Sequence, residues 1–288
     1  MKEYQRFLTP NFEPFDPLEL AKETEKIITR PGSKGLERKY TGIYAAPVYR
    51  GIATAYAVGC PLRCVYCWTN WSRDFPEMFG EFLNPRQVSE RLSRAAEKGI
   101  SNPRWKAFKN IKVNKLRISG AEPTLGKEHL LAVLELISAL KYPLFILETN
   151  GVILGSDKDY VERLSAFKEK LYVRVSFKAA TPEGFTERTG AIGEFYELPF
   201  KALRYLLDEG IYARAAAMTD QKTMPAEERK LLIEMLSEID PEIRKNPYEL
   251  EEEQIDAYET TIDRIKVYTD EKYAEELLKR FIKGEQLL

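Results

Sequence analysis

Every cysteine of the chain falls within eight residues: Cys60, Cys64 and Cys67, in the stretch Gly59-Cys60-Pro61-Leu62-Arg63-Cys64-Val65-Tyr66-Cys67-Trp68. Several kinds of thiol chemistry can be written for such a group. A disulfide uses two thiols and leaves one over, and a Cys64/Cys67 redox pair leaves Cys60 without a role. A zinc site needs a fourth ligand, and the chain's one histidine, His129, is far off in sequence. Three thiolates on one short loop suit an iron–sulfur cluster better. Such clusters normally take four cysteines, so three leave one iron open to a ligand that is not protein. Cysteines buried merely as small hydrophobes scatter along a chain rather than bunch.

The spacing (cysteine, three residues, cysteine, two residues, cysteine, with Tyr66 as the aromatic before the last) resembles that of the radical S-adenosylmethionine (SAM) superfamily. The resemblance implies that Cys60, Cys64 and Cys67 bind three irons of a [4Fe–4S] cluster, and that the amino and carboxylate groups of SAM chelate the fourth. Ser119-Gly120-Ala121-Glu122-Pro123-Thr124 is similar to the family's Gly-Gly-Glu-Pro motif, which meets SAM's amino group, with Ala121 in place of the second glycine. A desolvated ammonium needs a carboxylate or carbonyl oxygens, which Gly120, Ala121 and Glu122 can supply. Glu148-Thr149-Asn150-Gly151 looks like the Asp/Glu-Thr-Asn-Gly motif of glycyl-radical activating enzymes. There Glu148 is implied at the methionine or ribose end of SAM, and Asn150 shapes the turn. Ser176-Phe177-Lys178 resembles those enzymes' Asp-x-Lys element, whose lysine meets SAM's carboxylate; serine stands here in place of aspartate. On the following strand, small residues leave room for a cofactor, with Arg214 expected to face SAM or substrate and Met218 to contact adenine.

The activity so implied is reductive cleavage of SAM to methionine and a 5′-deoxyadenosyl radical, which takes a hydrogen from substrate. The expected electron donor is of ferredoxin or flavodoxin type. The substrate, a protein or a small molecule, divides the resemblance. Glu148 to Gly151 and Thr186 to Gly190 are similar to activating enzymes, whose partner is a glycyl-radical enzyme. Cys64 to Trp68 and Ser119 to Thr124 are similar to tRNA wyosine-base synthases, which usually carry extra cysteines that this chain lacks. Residues 104–117 fit that second likeness: Arg104, Lys106, Lys109, Lys112, Lys115 and Arg117 are mixed with Trp105 and Phe108 and interrupted by no acid. Such a stretch can bind RNA through phosphates and stacking. A non-catalytic iron–sulfur electron carrier or scaffold is the alternative of another class. Trp68, Trp71, Arg73 and Phe75 either line the substrate mouth or pack a loop over the cluster.

The elements that must position these groups alternate. Strands are expected at 53–58, 116–119, 144–149, 171–177, 211–218 and 264–268. Helices are expected at 17–28, 85–99, 127–140, 157–170, 195–209, 225–239, 241–258 and 271–283. Crossovers this long return parallel, giving an α/β sheet. Pattern leaves an open doubly wound sheet and an incomplete barrel both standing; the resemblance selects a partial (β/α)6 parallel barrel. Residues 1–50 are expected as an N-terminal extension wrapped on the core, and 51–288 as the radical SAM core with a C-terminal helical segment. The acidic run at 249–253 reads as a solvated helix face.

Forty-four basic and 45 acidic residues leave a net charge of −1, which gives no global pull towards nucleic acid or membrane. No apolar run approaches the ~20 residues of a membrane span. The first thirty residues hold no signal-peptide core, so a cytosolic protein is expected, a setting that suits free thiols. A charged fraction of 31% is above the typical ~25% and fits an ion-pair-rich, heat-adapted surface.

Overall fold

The computed structural model describes residues 4–246 and 250–282. Helix α1 (Pro17–Ile28) starts where Asp16 accepts the backbone N–H groups of Leu18 and Glu19 at 2.7 and 3.1 Å, with Pro17 at a position that needs no donor. Strands β1 (Thr29–Gly32) and β2 (Gly35–Ala46) form an antiparallel hairpin, and β2 pairs in turn with β3 (Ile52–Ala57) and β4 (Glu81–Leu83). The N-terminal segment is therefore built into the sheet, where a wrapped extension was expected. Two buried cations hid β2 in the sequence. Arg38 reaches the carbonyls of Val58, Glu122 and Pro123, and Lys39 those of Pro76 and Glu77, so neither needs solvent.

From there the chain alternates. In order come α2 (Pro85–Lys98), β5 (Lys115–Gly120), α3 (Lys127–Ser138), β6 (Leu144–Thr149), α4 (Val152–Ser156), α5 (Lys158–Leu164) and β7 (Leu171–Phe177). Then follow α6 (Pro182–Thr189), α7 (Leu198–Asp208), β8 (Tyr212–Met218), α8 (Ala226–Ile239), α9 (Glu242–Lys245), β9 (Leu250–Glu253), α10 (Glu259–Thr269) and α11 (Glu271–Ile282). Strands β3, β5, β6, β7, β8 and β9 are parallel neighbours in that order, with β1 at the far edge of an open sheet. This is the expected α/β architecture, a partial (β/α)6 parallel barrel. On the strands' outer face Leu116, Ile118, Leu147, Val173 and Ala215 are buried with Leu92, Leu130, Leu134, Leu164 and Leu203 of the helices. Each such leucine contributes roughly 1.5–3 kcal/mol. The opposite, concave face carries Arg117, Ser119, Glu148, Arg174 and Ser176 and belongs to the site.

Two expected elements are corrected. The sixth parallel strand is β9, within the span 241–258 expected as helix; the span expected as strand, 264–268, lies in α10. The acidic run is therefore not a solvated helix face. Glu251 and Glu253 pair with Arg174 of β7 at 2.6 and 2.8 Å, and Glu252 pairs with Arg229 of α8 at 2.6 Å. Cations reaching over from β7, two strands away, and from α8 make a strand of a sequence whose local preference is helical. In α10, Arg264 and Val267 are buried at helical spacing, which overrides the β-branched look of that stretch. Positions 249 and 283, ends of the acidic run and of the last expected helix, lie outside the described residues. No helix among the described residues is long and apolar enough to cross a membrane.

His129 is not a ligand but a core group. It is fully buried on α3, with Nε2 3.0 Å from the Tyr40 hydroxyl and Nδ1 2.7 Å from the Leu36 carbonyl. Burial drives its pKa from 6.5 down to about 4. Between those values the unfolded chain binds a proton that the folded chain refuses, so stability present above pH 6.5 is lost as pH falls towards 4. The loss expected is about 3 kcal/mol. Urea unfolding between pH 4 and 7 should show this slope, and His129→Gln should flatten it.

Candidate active site

A cavity of about 500 Å³ opens at the C-terminal ends of the parallel strands, where functional groups collect in α/β barrels. The loop after β3 brings Cys60, Cys64 and Cys67 to its wall; Cys64 is buried and the other two are half-buried. Burial pushes the Cys60 and Cys64 thiols up. Burial acts the same way on Cys67, but Arg73 and Arg264 outweigh it and hold that thiol below its ordinary range. Tyr66, between the last two cysteines, also lines the cavity, and its buried hydroxyl has no protein partner.

The other stretches meet at the same place. Gly120 ends β5 at φ +99°, and a Cβ there would sit 3.1 Å from the Ala57 backbone of β3. Only glycine suits that close approach. Ala121 keeps an ordinary φ, so the residue that replaces the second glycine costs no strain. Glu122 is 2% exposed. Its carboxylate accepts from the Thr124 N–H and hydroxyl at 3.1 and 2.6 Å, the Thr149 hydroxyl at 2.7 Å and the Asn150 N–H at 2.8 Å. It thus ties the end of β5 to the end of β6. Asn150 donates its side-chain N–H to the Cys60 sulfur at 3.6 Å and accepts from the Val152 N–H at 3.0 Å. Lys178 donates to the Ser176 hydroxyl at 2.5 Å, with its ammonium 6.0 Å from the centre of the Tyr66 ring. Met218 closes the far side. Of the expected site residues, only Arg214 is absent from the lining; it stands in register with Arg174 on the neighbouring strand.

Glu148 faces deeper into the barrel. It accepts from the Tyr49 hydroxyl at 2.5 Å, from Arg117 at 3.0 Å and from the Ser119 hydroxyl. Burial opposes its ionisation, but Arg117, Ser119 and Tyr49 outweigh that and hold the carboxyl below the usual range. Tyr49, Arg117, Arg174, Glu253 and Asp256 also line this polar chamber, and none had been singled out from sequence for it. Tyr49 reaches it from the β2–β3 loop, where Tyr49 and Arg50 adopt left-handed φ values of 51° and 57°. Such values in bulky residues are uncommon and collect at functional sites. Arg117 and Arg174 did leave a signal: each sits alone between apolar neighbours in a strand, one residue out of phase with the core face.

The aromatic residues after the cysteines divide. Trp68 stays at the mouth, 42% exposed, with Tyr258 6.4 Å away. Trp71 and Phe75 pack behind the loop against Phe7 and Phe281. Arg73 lines the cavity from behind the cysteine loop.

The donor set suits an iron–sulfur cluster carrying a small polar ligand: three thiols, an orphaned buried phenol and an ammonium around one cavity. Among the described residues no three thiol, imidazole or carboxylate groups converge as ligands of a single ion. In a cubane each thiolate takes its own iron, so such convergence is not required.

Fold and site together define an α/β-barrel protein with a three-cysteine loop at the mouth of its cavity. The sequence model of the Radical SAM superfamily matches residues 55–236, and the chain belongs to that superfamily, whose members use SAM and a [4Fe–4S] cluster. Among solved structures the chain is similar to Streptococcus suis SuiB bound to SAM, at 16% identity over 81% of this chain and 44% of that one, with a TM-score of 0.47. It is also similar to TYW1 with a lysine–pyruvate adduct bound, at 14% identity over 77% of both chains and a TM-score of 0.48. A third is a radical SAM methyltransferase from Sphaerobacter thermophilus, at 10% identity over 78% of this chain and 71% of that one, with a TM-score of 0.48. The chain spans less than half the length of the first, and likeness at this level says nothing of substrate. No curated protein matches the sequence.

Proposed function

We propose that this chain is a radical SAM enzyme in which Cys60, Cys64 and Cys67 hold a [4Fe–4S] cluster and the adjoining cavity holds SAM on the open iron. One observation carries the reading: the three thiols share a cavity with Gly120, Ala121, Asn150, Ser176, Lys178 and Met218. When bound, the reduced cluster supplies the electron that splits SAM into methionine and a 5′-deoxyadenosyl radical able to take hydrogen from an unactivated carbon.

The chain's own groups do the rest. Lys178, steadied by Ser176, offers an ammonium to a carboxylate. Bare Gly120 lets the end of β5 close against the Ala57 backbone of β3, which sets residues 120–121 in the cavity wall. Glu122 already accepts four donors, so we assign it to fixing the strand ends; the Gly120 carbonyl accepts the Thr69 hydroxyl at 2.8 Å, and we leave the Ala121 carbonyl for an ammonium. We assign Glu148 to the wall of the substrate chamber, since Tyr49, Arg117 and Ser119 occupy its oxygens. Tyr66 covers the cysteines, and Trp68 with Tyr258 narrows the mouth against water. Anaerobically reconstituted protein given SAM and dithionite should release 5′-deoxyadenosine. A coloured protein that leaves SAM intact would instead be an iron–sulfur carrier or scaffold.

For the substrate, the glycyl-radical enzyme reading rests on the stretch from Glu148 to Gly151 and gains no further observation. The RNA reading gains one. Arg104, Lys106, Lys109 and Lys112 are all exposed, as is Phe108. Beside them Trp105 lies 6.0 Å from Tyr44, which stacks on Tyr56 at 4.6 Å. Cations beside an exposed aromatic track fit a single-stranded polyanion with stacking bases. Binding of total tRNA should weaken with salt, and Lys109→Ala with Lys112→Ala should flatten the log–log slope by about 1.4. A slope that the double variant leaves unchanged would remove this segment from the interface.

A further inference from the structure

The cysteine loop is gripped by three buried guanidiniums, one for each cysteine. Arg63 donates to the Cys60 carbonyl at 2.6 Å, Arg73 to the Cys64 carbonyl at 2.7 Å and Arg264 to the Cys67 carbonyl at 2.6 Å. Their relative exposures are 0%, 2% and 2%. Arg63 also donates to the Gln5 carbonyl, so the N-terminal segment holds it in place. Arg264 comes from α10, almost two hundred residues further along the chain, and also donates to the carbonyls of Thr69 and Asn70.

Charge around the loop does not balance. Among the described residues, the one carboxylate bonded to any of these arginines is Asp74, itself fully buried. It takes Arg73 through one oxygen and Arg264 at 2.6 Å through the other. Arg63 bonds only backbone carbonyls, and its Nη2 has no protein acceptor. Three positive charges against one negative leave an excess of two in a water-poor place, which is costly unless an anion sits beside it. Carbonyl bonds explain the geometry but not the choice of three permanent cations. A cubane carried by three thiolates fits that excess. Thiolates with three negative charges on an oxidised core with two positive charges leave one net negative charge, and one added electron makes it two.

We propose that Arg63, Arg73 and Arg264 are positioning residues that preform the cysteine loop and, through their unbalanced charge, favour the reduced form of the cluster. This inference rests on the cluster assignment made above. The step concerned is a one-electron reduction: the external donor loses an electron, the cluster gains it, and no proton moves.

The test is an EPR-monitored redox titration of anaerobically reconstituted wild type, Arg264→Gln, Asp74→Asn and the double variant. Arg264→Gln removes one positive charge, and at fixed poise its ratio of reduced to oxidised cluster should fall about tenfold, a shift of about 59 mV for one electron. Asp74→Asn removes the opposing charge, and the ratio should rise by a similar factor. The double variant restores the net charge and should return to within about threefold of wild type, a margin that allows for coupling between two groups in contact. A merely structural role would move both single variants in the same direction, or neither, and would overturn the proposal. Should Arg264→Gln fail to load, Asp74→Asn decides: a rise supports the proposal and an unchanged ratio overturns it. If neither single variant loads while both keep the wild-type thermal transition, the arginines serve loop geometry alone and the electrostatic claim is wrong. A wild type that takes up no [4Fe–4S] cluster defeats the proposed function as well; a wild type that loads and cleaves SAM with unmoved variant potentials defeats this inference only.

Discussion

Cys64→Ala protein, reconstituted with iron and sulfide, should lose the broad visible absorption of the cluster and release 5′-deoxyadenosine at least about a thousandfold more slowly than wild type, equivalent to ~4 kcal/mol on the barrier. The chain should nevertheless fold. Cys64 is buried and its sulfur is not needed for packing on the scale of a leucine, so alanine should cost about 1 kcal/mol or less. The loop stays in place because the Cys64 carbonyl, bound by Arg73, belongs to the backbone and survives the substitution. Loss of activity with retained stability is the signature to look for. Iron content, thermal unfolding and product chromatography on one preparation would supply it. Iron content equal to wild type would mean that Cys64 is not a ligand.

Glu122→Ala should show the opposite pattern, with stability and activity falling together. Alanine leaves four donors of residues 124, 149 and 150 without their acceptor. Each orphaned group costs about 1–3 kcal/mol, less than additively, so a total near 4 kcal/mol is expected. For a chain of this size that is a fall of roughly 7 °C in Tm. The ends of β5 and β6 would then part, and Gly120 and Asn150 with them. Glu122→Gln keeps an amide oxygen for some of these donors and should lose less than half as much. Thermal unfolding of the metal-free proteins separates this from any effect of cofactor binding. A loss under about 1 kcal/mol for the alanine variant would return Glu122 to the role of ligand acceptor.

How far the molecule could be read in advance depends on where its forces act. Strands β6 and β7 stand at their expected bounds because their apolar runs are short and end in turn residues. Asp157, at the start of the helix expected from 157, caps α5 by accepting the Tyr160 N–H, since capping is local. The cysteine loop and the three strand ends were legible as chemistry, and their convergence follows from the barrel topology. What escaped was set by partners distant in sequence. Strand β2 holds two buried cations whose acceptors are carbonyls of other segments. Strand β9 is a leucine followed by three consecutive glutamates that become strand only beside Arg174 and Arg229. Arg264 looked like part of a strand, and its bond to the Cys67 carbonyl spans 197 positions. The polar chamber was half visible: Arg117, Glu148 and Arg174 each break an apolar run on the face turned away from the helices. Tyr49 left no such mark, because its place depends on a left-handed turn without glycine at that position.

The central claim is that one corner of a cluster held by Cys60, Cys64 and Cys67 is free to take SAM. It is tested most directly by the EPR spectrum of the dithionite-reduced, reconstituted protein recorded before and after SAM is added. A reduced [4Fe–4S] signal whose g values shift on addition of SAM, and which is absent from the Cys64→Ala protein, is the predicted result. A cluster signal that SAM leaves untouched, or a protein that takes up zinc in place of iron, would contradict the account.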